Sequence, residues 1–392
     1  MAKNQYKKEP LKNNVEEMFI GPFGSSLKNE CFVDEEDAYC MVYEQKHAIQ
    51  KTLDGKNRFV DKNKYYELKR FTIKPGDIIV SCRGTIGETF IVPENAPLGI
   101  MHPSIMKIRL KPNVYNIEYF NLLLKNRLKD YTKSANGSGV KMAISATELG
   151  KELFPIPPMD EQQKTSKIFL MVNHLILLRQ QQLAKLDELV KARFVEMFGD
   201  LDSRPKQKIK DVTKRVKVGF VGTCEKYYTN NSEIPMLRTT NITAHGIDLK
   251  DLKYVTKEFH EKNPKSQVHA GDLLIARHGA NGQANAYYGR EAQCLNAIII
   301  EPDISITTSI FLEYLINSNA VKSQINKKLV GSTQHVLNTT TLANVEVSIP
   351  EMREQQTFSA FVERINQQKQ TVQQSLEKLE LMKKALMHEY FG

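Results

Sequence analysis

Two stretches of the chain repeat apolar residues at a spacing of seven. From Glu161 to Phe198, the residues Phe169, Ile176, Leu183, Val190 and Met197 form one seam. Val172 and Leu186 form a second, with Ile168, Leu175 and Leu189 beside it. From Glu354 to Phe391 the same register gives Phe358, Ile365, Val372, Leu379 and Leu386, with Val362, Leu376 and Tyr390 in the second seam. Neither stretch contains glycine or proline. Such heptads predict long helices packed as in a coiled coil, each roughly 57 Å long at a rise of 1.5 Å per residue. One helix cannot hide so long a seam, whereas two with equal heptad counts can hide each other's. Arg179, Arg193, Lys369 and Lys383 fall at second-seam positions. Long basic stems there pack at the margin first, and can also fix register or touch a partner lying along the helices.

The rest of the chain reads as mixed, with strands dominating. Ile78-Ile79-Val80 follows a Gly76-Asp77 turn, Gly84 and Gly87 punctuate a second turn, and Phe90-Ile91-Val92 stops at Pro93. That order predicts a hairpin. Phe120, Leu123, Leu124 and Leu128 lie at helical spacing within Ile117–Leu128, so a helix packs on that sheet, and Ile310–Ile316 plays the same part later. The glycine-aspartate pair reads as turn chemistry, since no helix N-terminus follows it to bind an anion.

These patterns occur twice. Ile156-Pro157-Pro158-Met159-Asp160-Glu161-Gln162-Gln163 returns as Ile349-Pro350-Glu351-Met352-Arg353-Glu354-Gln355-Gln356, and at the same offset of 193 Glu196-Met197-Phe198-Gly199 returns as Glu389-Tyr390-Phe391-Gly392. Gly76-Asp77-Ile78-Ile79-Val80 recurs as Gly271-Asp272-Leu273-Leu274-Ile275 at an offset of 195, with Gly84 and Gly87 matched by Gly279 and Gly282. Gly21-Pro22-Phe23-Gly24-Ser25 echoes Gly219-Phe220-Val221-Gly222-Thr223 at 198. The offset drifts in the globular part and is fixed in the helical part. The frame is therefore repeated while its loops diverge. The fold expected is α/β (α+β): two similar globular domains separated by a long antiparallel two-helix coiled coil, with a pseudo-two-fold internal repeat. Such a pair would act as a spacer, holding the two domains roughly one helix length apart.

Composition narrows the partner. With 41% hydrophobic and 26% charged residues the chain reads as soluble and globular. No run approaches the roughly 18 apolar residues of a membrane span. The start, Met1-Ala2-Lys3-Asn4-Gln5, lacks a secretory pattern, which points to the cytoplasm. A net charge of +10 favours a polyanion, nucleic acid first. Cys31, Cys40, Cys82, Cys224 and Cys294 form no C-x-x-C pair and read as small, reduced, buried side chains.

Catalytic chemistry is absent from the pattern. An adenine methyltransferase needs a glycine-rich cofactor loop and an Asn/Asp-Pro-Pro-aromatic motif. Ile156-Pro157-Pro158-Met159 lacks its polar and aromatic members, and Asn263-Pro264-Lys265 comes no nearer. No G-x-x-x-x-G-K-[ST] phosphate loop occurs. Pro302-Asp303 has no acid-x-Lys pair nearby, and the nine histidines lack metal spacing. No catalytic or metal residue is assigned.

The ordered set of Gly21-Pro22-Phe23-Gly24-Ser25-Ser26-Leu27, Gly76-Asp77-Ile78-Ile79-Val80 with Gly84 and Gly87, and Pro155-Ile156-Pro157-Pro158 with Glu161-Gln162 leading to a heptad helix that ends at Phe198-Gly199 resembles the specificity (S) subunits of type I restriction-modification systems. The resemblance spans both halves. It implies target-recognition domains at 1–154 and 201–348, and conserved helices at 155–200 and 349–392 that space and dock. Each domain would read part of a split, asymmetric site in double-stranded DNA. Two methylation subunits, which transfer a methyl group to adenine, and restriction subunits, which translocate and cut DNA, would dock on the frame. S-adenosylmethionine, ATP and Mg are expected on those partners and no cofactor on this chain. Glu351, which stands where the first half has Pro158, predicts a less rigid start to the second helix. A coiled-coil scaffold with other ligands and an atypical stand-alone DNA methyltransferase are the competing readings.

Direct readout needs polar side chains on exposed loops. In the first domain these are Ser25, Ser26 and Lys28 after the glycine turn, Arg83 at the hairpin, and Ser138 and Lys141 in a glycine-flanked loop. In the second they are Thr223 and Lys226, Arg277 and His278, Gln334 and His335, and Thr239 and Asn241 from a polar cluster with Thr240. Tyr227-Tyr228 and Tyr287-Tyr288 read as sheet packing before DNA contacts.

Overall fold

Short aliphatic runs between turns become strands, and the repeat becomes two units of like topology in the computed structural model. The structure describes residues 6–135, 144–199, 204–243, 246–277, 282–329 and 336–392. Unit 1 comprises Met1–Leu178 with Leu376–Gly392, and unit 2 comprises Arg179–Ser375.

Unit 1 holds two four-stranded sheets. The first uses β1 (Val15–Ile20), β5 (Ile78–Ser81), β6 (Thr89–Ile91) and β8 (Ile105–Leu110) in the order β1-β8-β5-β6, all antiparallel. The second uses β2 (Cys40–Tyr43), β3 (Phe59–Val60), β4 (Thr72–Ile73) and β7 (Gly99–Met101) in the order β3-β2-β7-β4, with β2 and β7 parallel. A short helix α1 (Gln45–Gln50) follows β2, and α2 (Ile117–Ala135) follows the first sheet. The unbroken apolar run of β5 now has a cause. Ile78 and Val80 pack toward Phe120, Leu123 and Leu124 of α2, while Ile79 packs toward Met41 and Tyr43 of the second sheet. A strand covered on both faces has no polar side to alternate with.

Unit 2 repeats the plan. Its first sheet runs β9-β16-β13-β14, from Thr213–Val218, Ala297–Pro302, Leu273–Ala276 and Ala284–Ala286 respectively. Its second runs β11-β10-β15-β12, from Lys253–Val255, Ile234–Arg238, Ala292–Leu295 and Gln267–Val268. Leu273 and Ile275 face one core, Leu274 and Ala276 the other. The helix expected over Ile310–Ile316 forms whole, and where α2 is continuous a second, separate helix follows it. The first long helix, α3 (Met159–Phe198), precedes α4 (Ser309–Asn317) and α5 (Asn319–Leu329) in the chain. The break falls at Ser318, whose extended backbone ends α4 and whose hydroxyl accepts from Val321 N at 3.4 Å to cap α5.

The second long helix is α6 (Met352–Phe391). In unit 1 the start of α3 meets the end of α6, with Phe169 5.7 Å from Phe391 between ring centroids. In unit 2 the end of α3 meets the start of α6, with Phe194 and Phe198 at 5.4 and 5.6 Å from Phe358. The start of each long helix thus meets the end of the other, which makes the pairing antiparallel, as expected. The helices share the domain cores: Phe169 and Phe391 belong with Tyr119 and Phe120, and Val190, Phe194, Phe358 and Val362 belong with Phe311 and Leu312. Each compact unit therefore takes part of each long helix. Lys369 donates to Asp187 across the pair at 2.6 Å, so this seam-margin lysine fixes register. Leu175 and Leu189, expected beside the seam, are exposed with Leu170, Met171, Leu177 and Leu178.

One side chain ties each helix start to its domain. The buried Gln162 amide accepts from Asn116 N at 2.8 Å and donates to Pro157 O and Val114 O. Gln355 accepts from Thr308 N at 2.9 Å and donates to Pro350 O and Ile306 O. The lack of a proline at Glu351 is met by its own N–H donating to Glu354, which also pairs with Arg204 at 2.8 Å.

Candidate nucleic-acid interface

The strand order brings distant loops to one end of each unit. In unit 1, Gly21 N donates to Ile105 O at 2.9 Å, Cys82 N to Ser104 O at 2.9 Å, and His102 N to Tyr43 O at 2.8 Å. The loops after β1, β2, β5 and β7 therefore leave the two sheets side by side. In unit 2, Gly219 N donates to Ala297 O at 2.8 Å, Asn296 N to Phe220 O at 3.0 Å, and the Thr239 hydroxyl to Asn296 O at 3.1 Å. The approach is close enough to demand glycine. A Cβ on Gly21 would lie 2.3 Å from His102 O, and one on Gly219 would lie 2.5 Å from Cys294 O.

This end gathers many of the residues singled out from the sequence. Ser25 is exposed and Ser26 half-buried in the short turn Gly24–Ser26, and Arg83 is exposed directly beyond β5. Lys28 is exposed just after, 3.8 Å from Glu30. In unit 2, Thr223 and Lys226 are exposed, the Lys226 ammonium lying 4.9 Å over the Tyr227 ring. Arg277 is half-buried beyond β13, with Nε donating to Leu337 O at 3.2 Å. Thr239 spends its hydroxyl on Asn296. Asn241 is buried: its oxygen accepts from Arg238 N at 3.0 Å and its nitrogen donates to Asp248 O at 3.0 Å. It closes its own loop, because an asparagine one turn after a strand satisfies backbone groups that have left the ladder. Ser138, Lys141, His278, Gln334 and His335 lie outside the described residues. Tyr287, one residue past β14, packs in the sheet core as expected, while its neighbour Tyr288 is exposed.

Other groups at this end carry no sequence motif. Glu44 N donates to His47 Nδ1 at 3.0 Å, so the proton sits on Nε2, which faces Asn57 Oδ1 at 2.9 Å. Burial lowers the His47 and His102 imidazoles below histidine's ordinary value. Burial also works to raise the Glu44 carboxyl, but the Arg58 hydrogen bond and charge prevail and hold it below the usual range. Arg58 lies over the Phe32 ring at 4.3 Å. The Gln45 side-chain oxygen is buried without a hydrogen-bond partner among the described residues. Only the i, i+3 spacing of Glu44 and His47 hinted at this cluster, since the rest is joined through strand pairing.

The glycine-aspartate turns sit at the opposite strand ends. Asp77 accepts from Lys74 N at 2.8 Å and Asp272 from His269 N at 2.9 Å, as turn chemistry requires. Each also receives an arginine: Arg109, on the adjacent strand β8, reaches Asp77 through two bonds of 2.7 Å, and Arg215, on β9 one strand further off across β16, reaches Asp272 at 3.1 Å. Unit 2 further holds a cavity of about 1100 Å³ lined by Asp187, Glu313, Tyr314 and Lys369 among others. Arg277, Thr239 and Val221 do not line it. No group of three or more His, Cys, Asp or Glu that could hold a metal occurs among the described residues, and no helix among them is long and apolar enough to cross a membrane.

The profile of the type I restriction modification DNA specificity domain matches residues 36–188 and again 207–381. The chain belongs to that family. It is a type I specificity subunit with two target-recognition domains. Its similarity to curated members is low but extended. The MjaVIII specificity subunit of Methanocaldococcus jannaschii is 21% identical over 348 residues, 82% of this chain and 79% of the relative. The EcoBI specificity subunit of Escherichia coli is 22% identical over 328 residues, 75% and 68% of the two chains. A crystal structure of the S subunit from M. genitalium aligns over 100% of this chain and 98% of its own, with a TM-score of 0.58 at 13% identity. A chain from a structural study of type I complex assembly aligns over 98% and 97%, also at 0.58, with 14% identity. These solved structures share the fold.

Proposed function

We propose that each unit of this specificity subunit reads one half of a bipartite, asymmetric site in double-stranded DNA through its gathered loop end. One observation carries this reading: the same hydrogen-bonded loop end is built twice, on equal frames, with unlike side chains. Glycines hold the backbone in both, while Arg83 and Ser25 stand in one and Arg277 and Thr223 in the other. Phosphate contacts from the basic surface position the duplex, and the loop side chains select the bases. The continuous helices α3 and α6 set the gap between the half-sites. Two methylation subunits and the restriction subunits dock on this frame, supported by the exposed apolar face of α3 at Leu170, Met171, Leu175, Leu177 and Leu178. Catalysis resides in those partners, with S-adenosylmethionine, ATP and Mg, and the cytoplasm is where the assembly meets its DNA.

Methylation-sensitive sequencing of the host genome with and without this gene tests the reading. A split motif present only with the gene is expected, and an unchanged methylome would overturn it. Inserting one heptad into both helices should lengthen the gap and leave both half-sites intact. A constant gap would refute the ruler.

A further inference from the structure

We infer that Phe23 in unit 1, and Val221 at the same place in unit 2, are apolar wedges that enter the base stack of the two half-sites. The inference rests on the DNA-reading function above and adds a contact that is neither a phosphate nor a base-edge hydrogen bond.

Phe23 is 86% exposed and Val221 64%. Leaving such side chains in water forgoes roughly 1.5–3 kcal/mol each, and single exposed apolar residues are common enough to mean nothing alone. Here the position is built, and built twice. In each unit the strand hands over to a glycine pressed against a neighbouring segment's carbonyl, His102 O in unit 1 and Cys294 O in unit 2, and the next side chain is drawn inward. Pro22 is buried, and Phe220 packs edge-to-face with Phe259 at 5.0 Å between ring centroids. The residue after that is the one thrust out. Ser26 N donates to Phe23 O at 2.9 Å, which closes the turn behind Phe23. At Val221 the following Gly222 has φ +135°, a conformation L side chains rarely adopt. Two loops of different sequence thus present one bare apolar side chain at one point of a common frame.

The surroundings select the occupant. Phe23 shares its loop with Ser25 and Ser26, and Arg83 leaves the same sheet end across one strand; Val221 shares its loop with Thr223, and Arg277 leaves the same sheet end across one strand. An apolar tip flanked by cations and hydroxyls suits a duplex, where it parts a base step while its neighbours hold phosphates and base edges. An aromatic ring stacks on a base more strongly than an isopropyl group, so the first half-site should be the more unstacked.

The test uses the chain assembled with its methylation subunits and duplexes carrying the genomic motif, with 2-aminopurine replacing single bases. In the wild type, binding should raise fluorescence at one step of the half-site read by unit 1. F23A should abolish that rise and weaken binding about ten-fold, with the salt dependence unchanged because no phosphate contact is lost. F23W should restore both, and V221A should alter only the other half-site, a few-fold. Circular dichroism should not change, since the side chain touches little. Unchanged affinity and fluorescence in F23A would overturn the wedge while leaving the DNA-reading function standing. So would loss of subunit assembly in F23A with its DNA binding intact, which would make Phe23 a protein contact. A wild-type assembly that binds no motif-bearing duplex would overturn the function itself.

Discussion

At the same place in their frames, the two units solve one problem with different chemistry. Five residues beyond the cap of its domain helix, unit 1 has Asn121, which accepts the Thr89 hydroxyl at 2.6 Å. Unit 2 has Glu313, which accepts Ala286 N at 3.0 Å. The neutral amide is at ease there. Burial pushes the Glu313 carboxyl up to about 7, against the pull of the Ala286 N–H and Lys369. The loop ends differ in the same way: Phe23 against Val221, and the helix α1 in unit 1 where unit 2 has Thr239-Thr240-Asn241. The frames meanwhile agree down to the glycine that touches a carbonyl. Divergence falls on side chains, loop lengths and the helix break at Ser318 while the sheets agree, so recognition can change without refolding.

The largest test of this comparison removes the aromatics that join helices to domains. F391A should destabilise unit 1, and F358A unit 2, by about 3–5 kcal/mol each through the cavity left behind. Amide exchange should lose protection in the affected core only, and equal losses in both would contradict two separate cores. Next in size, R83A should cost about 1–3 kcal/mol of discrimination at the half-site of unit 1 alone. R277A should act on the other half-site, and also loosen the loop at Leu337 because its Nε holds that carbonyl. Binding competition with singly mutated duplexes reads both effects. The smallest effect concerns pH. A carboxyl raised on folding makes the native state bind more protons than the unfolded chain between the usual carboxylate range and about 7, so stability falls as pH rises through that window. E313Q should flatten this slope and stabilise unit 2 by about 1 kcal/mol at pH 8, after allowance for solvent screening. Thermal unfolding from pH 5 to 8 measures it, and Asn121 predicts no such slope from its own site in unit 1.

What could be read in advance follows from range. The helices announced themselves within a few residues either way, because heptads are local, and α3 and α6 extend only two residues before Glu161 and Glu354. The turn at Asp77 was equally local. Its arginine was not, since Arg109 reaches it only through the pairing of β5 with β8. Asn241 looked like a loop-surface group for the same reason: nothing adjacent in sequence reveals Asp248 closing on it. Periodicity also overcounted the seam, placing Leu175 and Leu189 beside it although a two-helix pair covers too narrow a stripe to bury them. At the loop end, Ser25 and Arg83 were visible as polar residues in glycine-marked turns. Phe23 was overlooked because an apolar residue is read as core unless the fold shows it uncovered.

The position of Phe391 bears on the order in which the protein can mature. The core of unit 1 is completed by a ring 5.5 Å from Tyr119, and Asn126 donates to the Phe391 carbonyl across 265 residues of sequence. All of unit 2 is translated between those partners. A chain emerging from the ribosome can therefore close its second unit before its first, reversing the usual N-terminal-first sequence of domain folding. During that interval Phe169 and Tyr119 are exposed to chaperones and to wrong partners.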